Sequence, residues 1–258
     1  MLKVYMDKGS KDEAHGIMCV SGAVFEPERF KVFSRLWNRM LDRVGIDHFH
    51  AANFYGRYGY CKGIPKDKHD FACRRIPQLI NEHTSCVLTV SFRQQEFDTV
   101  APLEWKKRFG STHGVATQMV VGAFGHWANE HEYSGPVAYV IESGDDDEYG
   151  VEKAFKAIRT TPVLNSHSRY QSHSFVEKGT TRGIEVADCF AWHWNKFYAE
   201  SYFQRMRPIR ADLKSMVVAH PNKYRVYNFD NAKLRRFLKR VWYQDLPPDD
   251  ARRLAADL

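Results

Sequence analysis

Three carboxylates stand where an α/β protein can gather its chemistry. Asp7 closes the apolar segment LKVYMD and runs into KGS, and Glu142 closes the apolar run PVAYVIE. Asp188 lies within RGIEVADCFAWHWNKFY (182–198), whose Ile184, Ala187, Phe190, Ala191, Trp194, Phe197 and Tyr198 recur at helical spacing as one apolar stripe. Asp188 sits on the edge of that stripe, and Glu185 lies one turn earlier on the same flank. Burying a carboxylate is costly unless something pairs with it. Acids brought together repel one another, so they either hold protons or bind a hard cation. An all-oxygen donor set suits Mg²⁺ or Mn²⁺, and such ions activate water and stabilise the leaving oxygen in phosphodiester cleavage. Taken singly, each acid has an ordinary explanation: Asp7 as a turn residue, Glu142 as a solvated strand end, Asp188 as a surface residue beside the stripe. Only their joint arrangement points to a site.

His48 and His50 are two apart in DHFHAAN, so on an extended backbone they point the same way. His48 is expected to stack on aromatic neighbours. His50 is the candidate for a general base, a metal ligand or a phosphate partner. The segment FYGRYGYCKG mixes Tyr55, Tyr58 and Tyr60 with Arg57 and Lys62. Such a loop either stacks on and holds single-stranded nucleic acid or is pinned to the core by its tyrosines.

The elements that must position these groups follow from periodicity and punctuation. Lys3 to Met6 and residues 16–25 read as two strands of a hairpin. A helix follows from Pro27, which suits its first turn, to Gly45, which suits its stop. Residues 46–67 have no clean period and read as a long aromatic, glycine-punctuated excursion. A helix over 68–83 is expected to kink or shorten at Pro77, and 85–92 reads as a strand. Residues 112–131 form a helix, and 136–143 read as a strand buried on both faces. The acids of GDDDE open another helix, 172–179 is a further strand, and 181–198 is the helix of Asp188. The C-terminal NAKLRRFLKRVW has a helical period and carries Arg235, Arg236, Lys239 and Arg240. In α/β sheets, sites gather at the carboxyl ends of strands. Two neighbouring strand ends and one packed helix would bring the three acids together. The expected organisation is one α/β domain over 1–200 with a basic helical extension over 201–258 packed on it.

Charge and composition narrow the function classes. The net charge of +7 favours an anionic partner, with nucleic acid the first candidate. No apolar run approaches the ~18–20 residues of a membrane helix. The N-terminal MLKVYMDKGS lacks the parts of a signal peptide, so the expected location is the cytoplasm. Cys19, Cys61, Cys73, Cys86 and Cys189 are odd in number and irregular in spacing, which fits reduced thiols better than a disulfide framework. Cys61, His69, Cys73, His83 and Cys86 are near one another in sequence, but no C-x-x-C pair supports a structural zinc site.

Four stretches in order, VYMDKGS with GIMCVSGAVF, DHFHAANF, YVIESGDDD and GIEVADCFAW, make the protein resemble the bacterial and phage family called domain of unknown function 3800. That family typically has D-E-S-G after its first strand, an F-H-A segment nearer the middle, an acid ending a later strand, and Q-x-A-D on a late helix. The resemblance spans about residues 3 to 198. It implies an RNase H-like mixed sheet flanked by helices, here with a helical C-terminal elaboration. It also implies Asp7, Glu142 and Asp188 as the acids and His50 as the histidine of the site. The sequence departs from the pattern at Lys8, where the family has glutamate, at Gly9 and Ser10, where the small pair is reversed, and at Glu185, where the family has glutamine. The expected activity is metal-dependent phosphodiester hydrolysis of nucleic acid. Asp7, Glu142 and Asp188 would hold Mg²⁺ or Mn²⁺ with Glu185 assisting, and Arg57, Lys62 and the C-terminal basic helix would meet the phosphates. The alternative, which Lys8 favours, is an RNase H-like module that binds nucleic acid or protein without catalysis.

Overall fold

The computed structural model describes residues 1–9, 16–101, 107, 110–144, 147–202 and 210–237. The apolar segments found in the sequence become strands that pair locally first. β1 (Leu2–Lys8) and β2 (Ile17–Phe25) form an antiparallel hairpin with Asp7 opposite Ser21, and β3 (Cys86–Arg93) pairs antiparallel with β2. β4 (Val137–Glu142) returns parallel to β1, and β5 (Tyr170–Val176) lies parallel to β4. The order is β5-β4-β1-β2-β3-β6, a three-strand meander followed by parallel crossovers. This is an RNase H-like mixed sheet flanked by helices. β1 and β4 are central and buried on both faces, as their continuous apolar runs require.

Helices cover both faces. α1 (Pro27–Val44) starts with Pro27 in its first turn and stops at Gly45, whose N–H donates to the Leu41 carbonyl. Its Phe33, Trp37, Met40 and Leu41 join Tyr5, Phe25 and Val140 in the core of one face. α3 (Lys66–His83) and α8 (Arg182–Tyr202) complete that face. α3 runs unbroken through Pro77 and is not shortened there, because burial of Ile76, Leu79 and Ile80 outweighs one missing backbone bond. The opposite face is covered by α5 (Thr112–Glu130) and α6 (Glu148–Thr160), with Val120, Phe124 and Phe155 against Val4, Met6, Tyr139 and Ile141. α4 (Gln94–Val100) and α7 (Pro162–Ser168) are short connecting helices.

Two further sequence expectations need correction. Residues 46–67 are not a structureless excursion: they contain α2 (Ala51–Gly56) and a 3₁₀ turn (Gly59–Cys61), held by ring contacts among Phe49, Phe54 and Tyr55. The segment after residue 200 is not purely helical. After α9 (Ala211–Ala219), β6 (Tyr224–Phe229) hydrogen-bonds parallel to β3 and extends the sheet of the main domain. α10 follows over 231–237, capped by Asp230, which accepts from the Lys233 N–H. Among the described residues no helix is long and apolar enough to cross a membrane.

Glycine sets how closely α8 meets the sheet. A Cβ added at Gly183 would lie 2.3 Å from the Tyr5 ring. Gly183→Ala is therefore expected to cost about 1–3 kcal/mol through forced displacement of the helix start. The check is thermal unfolding; an unchanged melting temperature would show that the contact yields freely.

Candidate functional site

The register of two parallel strands brings the first two acids together. Met6 pairs with Ile141 in β1·β4, so Asp7 and Glu142 come next, side by side at the carboxyl ends. Side chains alternate along a strand, so Asp7 shares a face with Tyr5, and Glu142 with Val140. Tyr5 and Val140 belong to the core under α8, so both acids turn toward that helix. Asp188 comes down from α8 to meet them. The three carboxylates line one pocket of about 200 Å³ together with His50, His113, Lys178 and the Ile141–Gly144 backbone turn.

Asp188 is not at a surface rim. Residues 183–195 of α8 are buried all round, because the helix lies between the sheet and the α1–α2 layer. The Asp188 carboxylate is 5% exposed and accepts the Ala51 N–H at 2.6 Å, which caps the start of α2 from a distant part of the sequence. The puzzle of an acid on a core helix thus has a partial answer: one oxygen is paired with a helix N-terminus, where negative charge is favoured. His50, the residue before α2, lines the same pocket, and its protonated form would favour the ionised Asp188.

The electrostatics are those of crowded acids. Burial pushes the Asp7 carboxyl well above the usual range, and the charges of Glu142 and Asp188 and a hydrogen bond to Glu142 push it the same way. Burial also raises Asp188, against the opposing pull of His50, Lys178 and the Ala51 N–H. Asp7 accepts the Lys8 N–H at 2.8 Å. Two lysines, Lys8 and Lys178, line the pocket, and Lys178 Nζ lies 3.0 Å from Glu142 Oε1. Burial alone would lower the pKa of this ammonium, but Asp188, Asp7 and Glu142 outweigh it and raise the value.

Donor chemistry and placement decide whether these residues suit a divalent cation. All three acids offer carboxylate oxygens to one pocket, which is the right kind of donor for Mg²⁺ or Mn²⁺. Their placement is that of a site closed on itself. Asp7 and Glu142 share a hydrogen bond, Lys178 holds Glu142, and among the described residues no three Asp, Glu, His or Cys side chains are grouped as metal ligands. A cation would have to draw the proton from Asp7 and release Glu142 from Lys178, and its charge favours both changes. The residues fit the ion in kind.

No family model matches the protein, and no curated protein does. Among solved structures it is similar to one in the PCNA:RNase HII complex from Archaeoglobus fulgidus, at 9% identity over 86% of this chain and 89% of that chain, with a TM-score of 0.40. The strand order, not this likeness, carries the fold assignment, and neither activity nor partner passes from that protein to this one.

The other expected site residues fall in different places. Glu185 does not line the pocket. It is 2% exposed, accepts from Trp37 Nε1 at 2.5 Å, and pairs with Arg182 Nη1 at 2.5 Å. Its position in the metal set is therefore corrected: one oxygen joins α8 to Trp37 of α1, and the other pairs with Arg182 of its own helix. His48 stacks on Tyr60, with ring centroids 4.7 Å apart, as expected. Burial, with Lys178, His50 and Arg182 nearby, holds its pKa below the ordinary value. The tyrosine loop divides between its two readings. Tyr55 is buried against Trp192, whereas Tyr58 and Tyr60 are exposed. Arg57 and Lys62 are exposed outside the pocket lining, and Arg57 donates to the Ile64 carbonyl.

Arg235 and Arg236 are exposed on α10, while Lys239 and Arg240 lie outside the described residues. β6 runs in the same direction as β1, so α10 begins at the pocket's edge of the sheet. The three strand steps between them span about 14 Å. Sequence reasoning missed Lys178 and His113. Lys178 carried no local signal: it stands in the turn beyond β5, two residues after Val176, which pairs with Glu142. His113 enters from the first turn of α5, which carried no sign of belonging to the site.

Proposed function

We propose that the protein is a cation-dependent phosphodiesterase acting on nucleic acid, with Mg²⁺ or Mn²⁺ as cofactor, and that it belongs to the domain of unknown function 3800 family its motifs resemble. The observation that carries this reading is the meeting of Asp7, Glu142 and Asp188 in one pocket at the carboxyl edge of the sheet. Those three residues would hold the ion, which when bound polarises a phosphoryl oxygen and lowers the pKa of water. His50, beside Asp188 in the same pocket, would take a proton from the attacking water. Exposed Tyr58 and Tyr60 would stack on bases near the mouth, because Tyr60 bonds the His48 carbonyl and His48 lies against Gly179, next to Lys178. The alternative reading, a nucleic-acid or protein-binding module without catalysis, is favoured by two lysines, Lys8 and Lys178, that line the acidic pocket.

The deciding experiment incubates labelled single- and double-stranded DNA and RNA with the wild-type protein and Asp7→Asn in Mg²⁺, in Mn²⁺ and in chelator. Cleavage that needs the cation and the Asp7 charge supports the enzyme. Binding without cleavage in any cation supports the module. A second measurement addresses the contact surface. Replacing Arg235 and Arg236 by Ala should weaken binding and flatten the slope of log affinity against log salt by about 0.9 per lost phosphate contact. An unchanged slope would remove α10 from the interface.

A further inference from the structure

We propose that Lys178 is a built-in cation of the acidic pocket, and that its ammonium restricts the site to one divalent ion. The inference rests on the cation-binding reading above and deepens it. A two-ion site needs enough carboxylates to balance and bridge both ions. Among the described residues, no fourth acid lines the pocket. The position after Asp7 is Lys8, and Glu185 has both oxygens engaged by Trp37 and Arg182. What enters the pocket instead is Lys178, 3.0 Å from Glu142 Oε1.

The placement of Lys178 is built into the backbone. Val176 is in register with Glu142, so Lys178 falls on the same face just beyond the strand end. The backbone then turns sharply. Thr180 N–H donates to the Glu177 carbonyl, and Gly179 takes φ 79°, a conformation that favours glycine. The side chain is 39% exposed, so part of it meets solvent while its head meets the acid. Charge balance then sets the ion count. Three carboxylates are neutralised by the Lys178 ammonium and one divalent cation, and Lys8, which lines the same pocket, adds further positive charge. A second divalent cation beside Lys178 would leave the pocket strongly positive and would be repelled.

Counting bound Mn²⁺ tests this, by titration calorimetry and by the electron paramagnetic resonance signal of free Mn²⁺. The proteins are the wild type, Lys178→Met, which keeps the stem and removes the charge, and Lys178→Arg, which keeps the charge. The wild type and Lys178→Arg are expected to bind one Mn²⁺ per molecule. Lys178→Met is expected to bind the first ion about tenfold more tightly, because a positive charge beside the donors is gone, and to accept a second. Without cation, Lys178→Met should melt below wild type, and added Mn²⁺ should raise its melting temperature by more than it raises that of the wild type. Two ions in the wild type, or one ion at wild-type affinity in Lys178→Met, would overturn the role of Lys178 while leaving the cation-binding reading intact. No Mn²⁺ binding to the wild type would overturn both.

Discussion

Asp188→Asn is expected to lower cation-dependent cleavage by about two orders of magnitude or more, while the metal-free protein stays at least as stable as wild type. The activity loss follows from removing one of three anionic donors from the pocket. The stability follows from two features of the same residue. Its charge sits near those of Asp7 and Glu142, so neutralising it relieves repulsion in a buried place. Its bond from the Ala51 N–H survives, because an asparagine carbonyl oxygen accepts as the carboxylate does. Asp188→Ala separates the two roles. It too removes the charge, but it leaves the Ala51 N–H without this acceptor, at about 1–3 kcal/mol. Melting curves of the three proteins with and without Mn²⁺, beside a nuclease assay, check both parts. If wild type gains nothing from Mn²⁺ and Asp188→Asn melts lower in chelator, Asp188 serves only to cap α2.

Metal-free stability should fall as pH rises from about 5 to about 8, and Glu185→Gln should remove much of that fall. Burial raises the Glu185 carboxyl from 4.5 to about 7, winning over the opposing pull of Arg182 and Trp37. A carboxyl whose folded pKa is raised favours the fold at pH values below its unfolded pKa. That advantage is lost as pH climbs through the folded value. Between those limits the loss amounts to about 3 kcal/mol for this one group. A glutamine at 185 resembles the protonated acid and can still accept from Trp37 Nε1. The variant is therefore expected to match wild type near pH 5 and to exceed it near pH 8. Asp7 and Asp188 also shift upward, so the comparison between the two proteins, not the wild-type curve alone, isolates Glu185. Denaturant unfolding at both pH values is the measurement. A difference between variant and wild type that does not change with pH would show that Glu185 is ionised throughout.

The amino-acid sequence by itself determined most of the strands and helices that frame the pocket. The hairpin of β1 and β2, the two-sided burial of β4 and the start and stop of α1 are local matters of alternation, apolar run and cap, and they lie where sequence reasoning put them. Asp7 and Glu142 were legible as a pair because each ends an apolar strand, and adjacent parallel strands end at one edge. Tertiary structure decided the rest. Glu185 and Asp188 are three residues apart on one helix and differ little in pattern, yet one meets Trp37 and Arg182 and the other the pocket. Helical periodicity reports the direction of a side chain but not what another element places opposite it. β6 was missed because six alternating residues become a strand only when β3, more than 130 residues earlier, offers a free edge. Lys178 stands in no helix or strand, and its meeting with Glu142 depends on the register between β4 and β5. Local spacing sets which groups can share a face; long-range pairing sets which of them share a charge.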